Sequence, residues 1–202
     1  MKDSNKQTIQ SYEGNVQKYI DGTPQDVVSA GIKEWIDAAL SGLTKDVKIL
    51  EFGSGFGRDA TYIQGKGYSV QCTDATQAFV DFLREKGFNA QQLNVITDQI
   101  NGSYDLIFAS AVLLHFTRDE TKLVLQKVYD ALSSKGTFAF TLKQGEGETW
   151  VTDKLGAPRF FCFWTETPIR ELLEKAGFVD IKIRGNKVIT NTTWLQIIAK
   201  KN

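Results

Sequence analysis

The chain is poor in the residues that staple small proteins, bind metals or anchor to membranes, and each shortage removes a class of function. Two cysteines and one histidine among 202 residues cannot complete a structural zinc site without carboxylates, and they build no disulfide framework. No metal site is expected. Cys72 falls in an apparent strand and Cys162 in an aromatic run, so both read as thiols of a reduced, cytoplasmic protein. No apolar run approaches the ~20 residues a membrane span requires, and Met1 to Gln10 is polar, so neither an anchor nor a signal peptide is expected. An excess of one charge is missing too, because 24 Lys and Arg balance 24 Asp and Glu. That balance disfavours nucleic acid as a partner. Repeats and low-complexity tracts are absent, and the length suits a single domain over residues 1–202, burying roughly two-thirds of its unfolded surface.

What the chain does have is alternation. Residues 1–46 carry Ile9, Tyr12, Val16, Tyr19 and Ile20 at helical spacing, then a Gly22-Thr23-Pro24 break and a second segment to Leu40, which predicts a helical cap. From Val47 short apolar runs alternate with amphipathic stretches. The runs at 47–52, 68–73, 89–94, 104–109 and 136–142 read as strands of a mostly parallel sheet covered on both faces. Thr76 to Lys86 reads as a helix ending at Gly87, and Thr117-x-x-Glu120 as a capping box opening another helix. Thr167-Pro168 reads as N-cap and first-turn proline of a further helix, after which 178–184 and about 192–199 form a closing hairpin.

The most informative stretch is Val47 to Gly57, where an apolar strand runs into Gly53, Gly55 and Gly57 and then a new helix. Glycines at alternate positions let the backbone turn through positive φ and approach a ligand, and free N–H groups at the next helix favour negative ligand groups. A dinucleotide fingerprint would put its third glycine at position 58, where Arg58 stands. With Glu51 two residues before Gly53, the pattern is E-x-G-x-G-x-G. Asp74 ends the second strand 21 residues after Gly53, where an ionised carboxylate can accept from both ribose hydroxyls. The same acid occurs in dinucleotide-binding proteins, so on residues alone a nucleotide-linked oxidoreductase stays open.

These motifs resemble the class I S-adenosylmethionine-dependent methyltransferases, and the resemblance spans roughly residues 47–200. It implies an α/β, Rossmann-like, doubly wound seven-stranded sheet, mostly parallel with an antiparallel final strand, beneath the N-terminal helical cap. It implies S-adenosyl-L-methionine as cofactor, with Gly53, Ser54, Gly55 and Gly57 along its amino acid part, and Asp74 and Ala75 at the ribose. Glu51 would orient the loop or the ligand amino group, or else pair with a cation. Arg58 would bind the ligand carboxylate, or pair with Asp59 or Glu51. Asn94 stands where the family usually has an acid facing the adenine amino group, with Val95 as a backbone contact. Ser110 begins the segment after the fourth strand, Tyr12 and Tyr19 are candidates to cover the cofactor, and an amphipathic packing helix would use the same two tyrosines.

His115 is the one histidine, at the place where the transferred methyl would point. It would act as a general base, or cap the helix after Thr117. The 24 or so residues after Lys143 read as a long flap, with Trp150, Arg159, Phe160 and Trp164 as candidates for a substrate pocket. The GRDA run at 57–60, Lys143-Gln144-Gly145-Glu146 and Arg159-Phe160-Phe161 look like a bacterial subgroup acting on small molecules through oxygen, nitrogen or sulfur. Should the methyl site be unused, the fold would serve as a cofactor-sensing module.

Overall fold

The structure, a computed structural model, describes residues 3–187 and 192–202. Three helices open the chain, α1 (Ser4–Glu13), α2 (Val16–Asp21) and α3 (Lys33–Leu40). Strands and helices then alternate as β1 (Ile49–Phe52), α4 (Arg58–Gly65), β2 (Val70–Asp74), α5 (Gln77–Glu85), β3 (Ala90–Gln92) and β4 (Tyr104–Ala109). A 3-10 turn, Leu113–His115, leads to α6 (Arg118–Ala131) and β5 (Leu132–Lys143). A short pair, β6 (Glu148–Val151) and β7 (Arg159–Cys162), precedes α7 (Glu166–Lys175), β8 (Phe178–Lys187) and β9 (Thr193–Lys201).

Seven strands form one sheet in the order β3-β2-β1-β4-β5-β9-β8. Pairing is parallel from β3 to β5, and β9 runs antiparallel to both of its neighbours. The reversal of strand order at β1 and β4 opens a crevice beyond their carboxyl ends, the usual ligand position in such sheets. The central strands β1 and β4 are buried along nearly their whole length because both faces are covered. Ile107 and Ala109 join a core under α6 and α7, whereas Leu106 and Phe108 join one with Trp35 and Ile36 of α3. Side chains two apart therefore share a face, as the pleat requires. Trp35 is fixed by its ring against Phe108 at 4.6 Å and by its indole N–H donating to the Ile197 carbonyl at 3.2 Å. No helix among the described residues is long and apolar enough to cross a membrane.

Two expectations need correction. The stretch after Lys143 is not an unstructured flap, since β6 and β7 pair antiparallel with Trp150 opposite Phe160. The alternation in Arg159-Phe160-Phe161-Cys162 supplies that strand, and the intervening turn shortens the true loop. The last crossover helix begins two residues earlier than Thr167-Pro168 suggests, with Thr165 as its N-cap and Pro168 third in the helix. Proline is tolerated there because the first N–H groups of a helix need no intrahelical partner. The Thr117–Glu120 capping box is present on both sides of the reciprocal bond.

Candidate active site

After Phe52 the chain turns through the glycine loop with φ of 60° at Gly53, 55° at Gly55 and 86° at Gly57. Space as well as torsion demands glycine at two of these. A Cβ on Gly53 would lie 2.4 Å from Val112 Cγ2, and one on Gly57 would meet Leu83 and Phe88 at 2.9–3.0 Å. Gly55 has Tyr19 above it at 3.7 Å, leaving the loop open on that side.

Asp74 holds the loop in place. One carboxylate oxygen accepts from Gly55 N–H at 3.0 Å and the other from Thr76 N–H at 2.9 Å. Burial pushes this carboxyl up to about 6, against the opposing pull of those two bonds. Glu51 is buried directly below, and burial together with the nearby Asp59 charge pushes it up to about 8. It makes no ion pair among the described residues, so the cation-pairing alternative for Glu51 fails. Arg58 is spent on its sequence neighbour: its guanidinium donates to both oxygens of Asp59, at 2.6 and 3.2 Å, and to the Pro24 carbonyl at 3.4 Å. Of the alternatives for Arg58, pairing with Asp59 is the one the structure shows, a forked ion pair between adjacent residues.

Two cavities meet at the glycine loop. The smaller, about 100 Å³, runs from Gly53 and Gly55 past Asp74 and Ala75 to Asn94 and Val95, roofed by Tyr12 and Tyr19. The larger, about 370 Å³, lies on the other side of Tyr19, between the loop, Ser110, Thr141, Lys154, Trp194 and Gln196. Its volume is in the range of roughly 300–1,000 Å³ typical of ligand pockets. Ser110 and Ala111 border both. Ala111 adopts φ 58°, unusual for a residue with a side chain, and its N–H donates to Thr141 Oγ1 at 2.8 Å. Such strain at a strand end commonly accompanies a functional site. Ser54 contributes to the larger cavity a buried hydroxyl that has no partner among the described residues, a capacity suited to a polar ligand.

The smaller cavity is narrow because α1 leans over it. Asn94 donates through its amide nitrogen to Asn5 Oδ1 at 2.7 Å, while its oxygen accepts from Ile96 N–H at 3.2 Å. The oxygen expected to face adenine is thus engaged locally, and Asn94 ties the helix down instead. A carboxylate would lack the donor this bond uses.

His115 is held at both nitrogens. Nδ1 lies 2.6 Å from the Phe160 carbonyl, which requires the proton there, and Nε2 accepts from Tyr12 Oη at 2.9 Å. Burial lowers the imidazole to about 3, so it is neutral, with its lone pair directed at Tyr12. Arg159 donates to the same tyrosine oxygen at 3.3 Å. The other substrate-pocket candidates are placed differently from expectation. Trp164 is fully buried with the Arg118 guanidinium 4.2 Å over its ring, Phe160 is core, and Trp150 is exposed against Phe160 on the outer strand. Neither these three nor Arg159 borders either cavity. In a buried strand the aromatic residues of β7 face the core, a placement that a loop reading cannot anticipate. Thr141, Lys154, Trp194 and Gln196 were missed, although a glutamine interrupting the apolar run of β9 was a visible signal for one of them.

Residues 50–138 match a family profile described as a methyltransferase domain. No curated protein matches the chain significantly. Among solved structures, the Burkholderia thailandensis 1,6-didemethyltoxoflavin-N1-methyltransferase, bound to 1,6-didemethyltoxoflavin and S-adenosylhomocysteine, is similar with TM-score 0.72 and 20% identity, over 96% of this chain and 88% of that one. Haemonchus contortus phosphoethanolamine N-methyltransferase 2, in complex with S-adenosyl-L-methionine, gives TM-score 0.75 at 14% identity over 94% of this chain. The match covers only 57% of that longer protein. An S-adenosylmethionine-dependent methyltransferase from Mesorhizobium loti gives 0.65 at 15% identity, covering 82% of this chain and 98% of its own. Identities this low speak for the fold, while the profile covers the glycine loop, the acid ending β2 and the fourth strand. The methyltransferase-domain profile thus lies on the part of the sheet that builds the crevice, and the fold as a whole is that of S-adenosylmethionine-dependent methyltransferases.

Proposed function

We propose that this enzyme transfers the methyl group of S-adenosyl-L-methionine to oxygen, nitrogen or sulfur of a small molecule. The observation that carries the reading is the placement of a glycine loop at positive φ between two cavities that it borders, with the buried Asp74 carboxylate lining the smaller one. When bound, the donor supplies an already activated methyl carbon on a sulfonium. Asp74 would accept from the ribose hydroxyls, the glycine loop and the Ser54 hydroxyl would line the amino acid end, and Tyr12 and Tyr19 would cover the site. Alignment of acceptor and methyl then supplies much of the acceleration, on the order of 7 kcal/mol or more in favourable cases. The acceptors named for the Burkholderia and Haemonchus proteins are small molecules, which supports the same class here.

Calorimetry with S-adenosylhomocysteine tests the donor site, and Asp74→Ala is expected to weaken binding at least tenfold, about 1.4 kcal/mol. An unchanged dissociation constant would remove the ribose assignment. His115 enters the proposal as a relay through Tyr12, because its free nitrogen already carries that hydroxyl. His115→Ala should leave S-adenosylhomocysteine affinity within about twofold, the rough limit below which contact loss is not resolved, and slow turnover. A wild-type rate profile with a limb near pH 6.5 would contradict an imidazole held neutral. Tight S-adenosylhomocysteine binding without turnover across a broad acceptor screen would leave a cofactor-sensing module instead.

A further inference from the structure

Three cations gather where β5 ends and the β6–β7 pair begins, and they lack the acids that normally accompany buried charge. Arg159 is 6% exposed. Its guanidinium donates to the Tyr12 hydroxyl at 3.3 Å and to Asp153 at 3.4 Å, both long for charge-assisted bonds, and lies 5.1 Å from the Phe161 ring centre; its Nε has no partner among the described residues. Asp153 offers little compensation, because its side chain is 79% exposed and well solvated. Lys143 and Lys154 form no ion pair among the described residues. Their ammonium groups rest on aromatic faces, Lys143 at 4.2 Å over Phe161 and Lys154 at 4.3 Å over Tyr19, with a 2.6 Å bond from Lys154 to Thr23 Oγ1.

The three charges feel one another. Burial lowers Lys143, and Arg159 lowers it further; burial also brings Lys154 down to about 8, helped by Arg159, Arg58 and Lys143, with Asp153 opposing in both cases. Cations left underpaired in a half-buried site cost stability that only an incoming anion recovers. The approach is through the larger cavity, which Lys154 and Trp194 border; Lys143, 5.8 Å from the Trp194 ring centre, and Arg159 stand behind that lining.

Resting on the methyl-donor reading above, we propose that the acceptor carries an anionic group, a carboxylate or a phosphate, which Arg159, Lys143 and Lys154 seat at the end of β5. The sheet order separates this anion from the donor. Lys143 ends β5, two strands from the glycine loop of β1, a spacing of roughly 10 Å at about 4.8 Å per strand. The donor's own carboxylate, lying along the loop, belongs to β1. The anion therefore comes with the second molecule, and Tyr12, shared between Arg159 and His115, connects its seat to the crevice where the methyl is presented.

The experiment is a titration of the full chain, saturated with S-adenosylhomocysteine, with inorganic phosphate as probe, followed by thermal shift and phosphorus NMR line broadening. Phosphate is expected to bind and raise the melting temperature, and Lys143→Met and Lys154→Met are each expected to weaken it at least tenfold. These two variants keep the apolar stem, so the result does not depend on whether an Arg159→Met protein folds. Equal phosphate affinity in both variants would mark an adventitious ion only and overturn the proposal. So would the absence of phosphate binding, or competition between phosphate and S-adenosylhomocysteine. A loss of S-adenosylhomocysteine affinity in Lys154→Met with 5′-methylthioadenosine affinity intact would assign the cation to the donor carboxylate, again against the proposal. Failure of S-adenosylhomocysteine to bind the wild-type protein at all would instead strike the donor reading, and the phosphate titration of the unliganded protein would still judge the cationic seat separately.

Discussion

Gly53→Ala is expected to abolish S-adenosylhomocysteine binding at accessible concentrations and to lower the melting temperature by about 5–15 °C. Two separate penalties combine. A side chain at φ 60° costs roughly 1–2 kcal/mol in the left-handed region. The new methyl would also stand 2.4 Å from Val112 Cγ2, an overpacking worth typically 1–3 kcal/mol. For a protein of this size about 1 kcal/mol corresponds to roughly 2–4 °C. Binding suffers more than stability, because relief of the contact moves either the loop or the Val112 segment, and Gly53 borders both cavities. An affinity loss of at least a hundredfold, near 2.8 kcal/mol, follows from a loop displaced from its ligand. A Gly53→Ala, Val112→Ala double variant separates the terms: it should recover the contact share of the melting temperature while the torsional share remains. A single Gly53→Ala variant that melts with the wild type and binds S-adenosylhomocysteine normally would show that the loop adapts without cost.

The legibility of this molecule follows from the range over which each feature is determined. The glycine loop, Asp74 and the alternating strands are local in sequence: strand, turn and helix lie within a few residues, and the acid ends the very next strand beside it. Their placement in the fold follows from the period of the apolar residues and the turn chemistry. Tyr12 and Tyr19, on neighbouring helices, both line the smaller cavity with rings 5.4 Å apart. What could not be read depends on partners far along the chain. Asn94 is engaged by Asn5, 89 positions away, whereas for Arg58 the adjacent Asp59 was one of the partners the sequence offered. The four residues assigned to a substrate pocket were placed by assuming a loop, whereas β7 packs Phe160 and Phe161 inward. Lys154 and Trp194 enter the cavity from elements whose position depends on the whole sheet. His115 was found by its uniqueness, but only the geometry shows both of its nitrogens occupied.

The affinity for S-adenosylhomocysteine should rise steeply with pH, because burial raises the titration of two carboxyls that the ligand needs charged. Glu51 is pushed from 4.5 up to about 8, and Asp74 from 3.8 up to about 6. Both shifts raise the folded-state value, so the stability they contribute is fully present below about pH 4 and is lost as pH rises, through about 6 for Asp74 and about 8 for Glu51. His115 acts in the opposite sense: lowered from 6.5 to about 3, it costs stability as pH falls from 6.5. The unliganded protein thus loses stability toward both ends, and ligand reverses the loss at the upper end. An ammonium group near Glu51 and ribose donors at Asp74 favour the ionised forms, so binding expels protons. With one proton lost, affinity rises about tenfold per pH unit, the slope that linkage gives for a single group. That slope should hold between the two carboxyl values, steepen below the lower one and level off above the upper one. Glu51→Gln should flatten the upper part and leave the lower part, which belongs to Asp74. Calorimetry in two buffers of different ionisation enthalpy reads the proton count directly, with about one proton released near neutral pH for the wild type and none for Glu51→Gln. Equal affinity on both sides of neutrality in the wild type would mean that Glu51 stays protonated beneath the bound ligand and serves the loop alone.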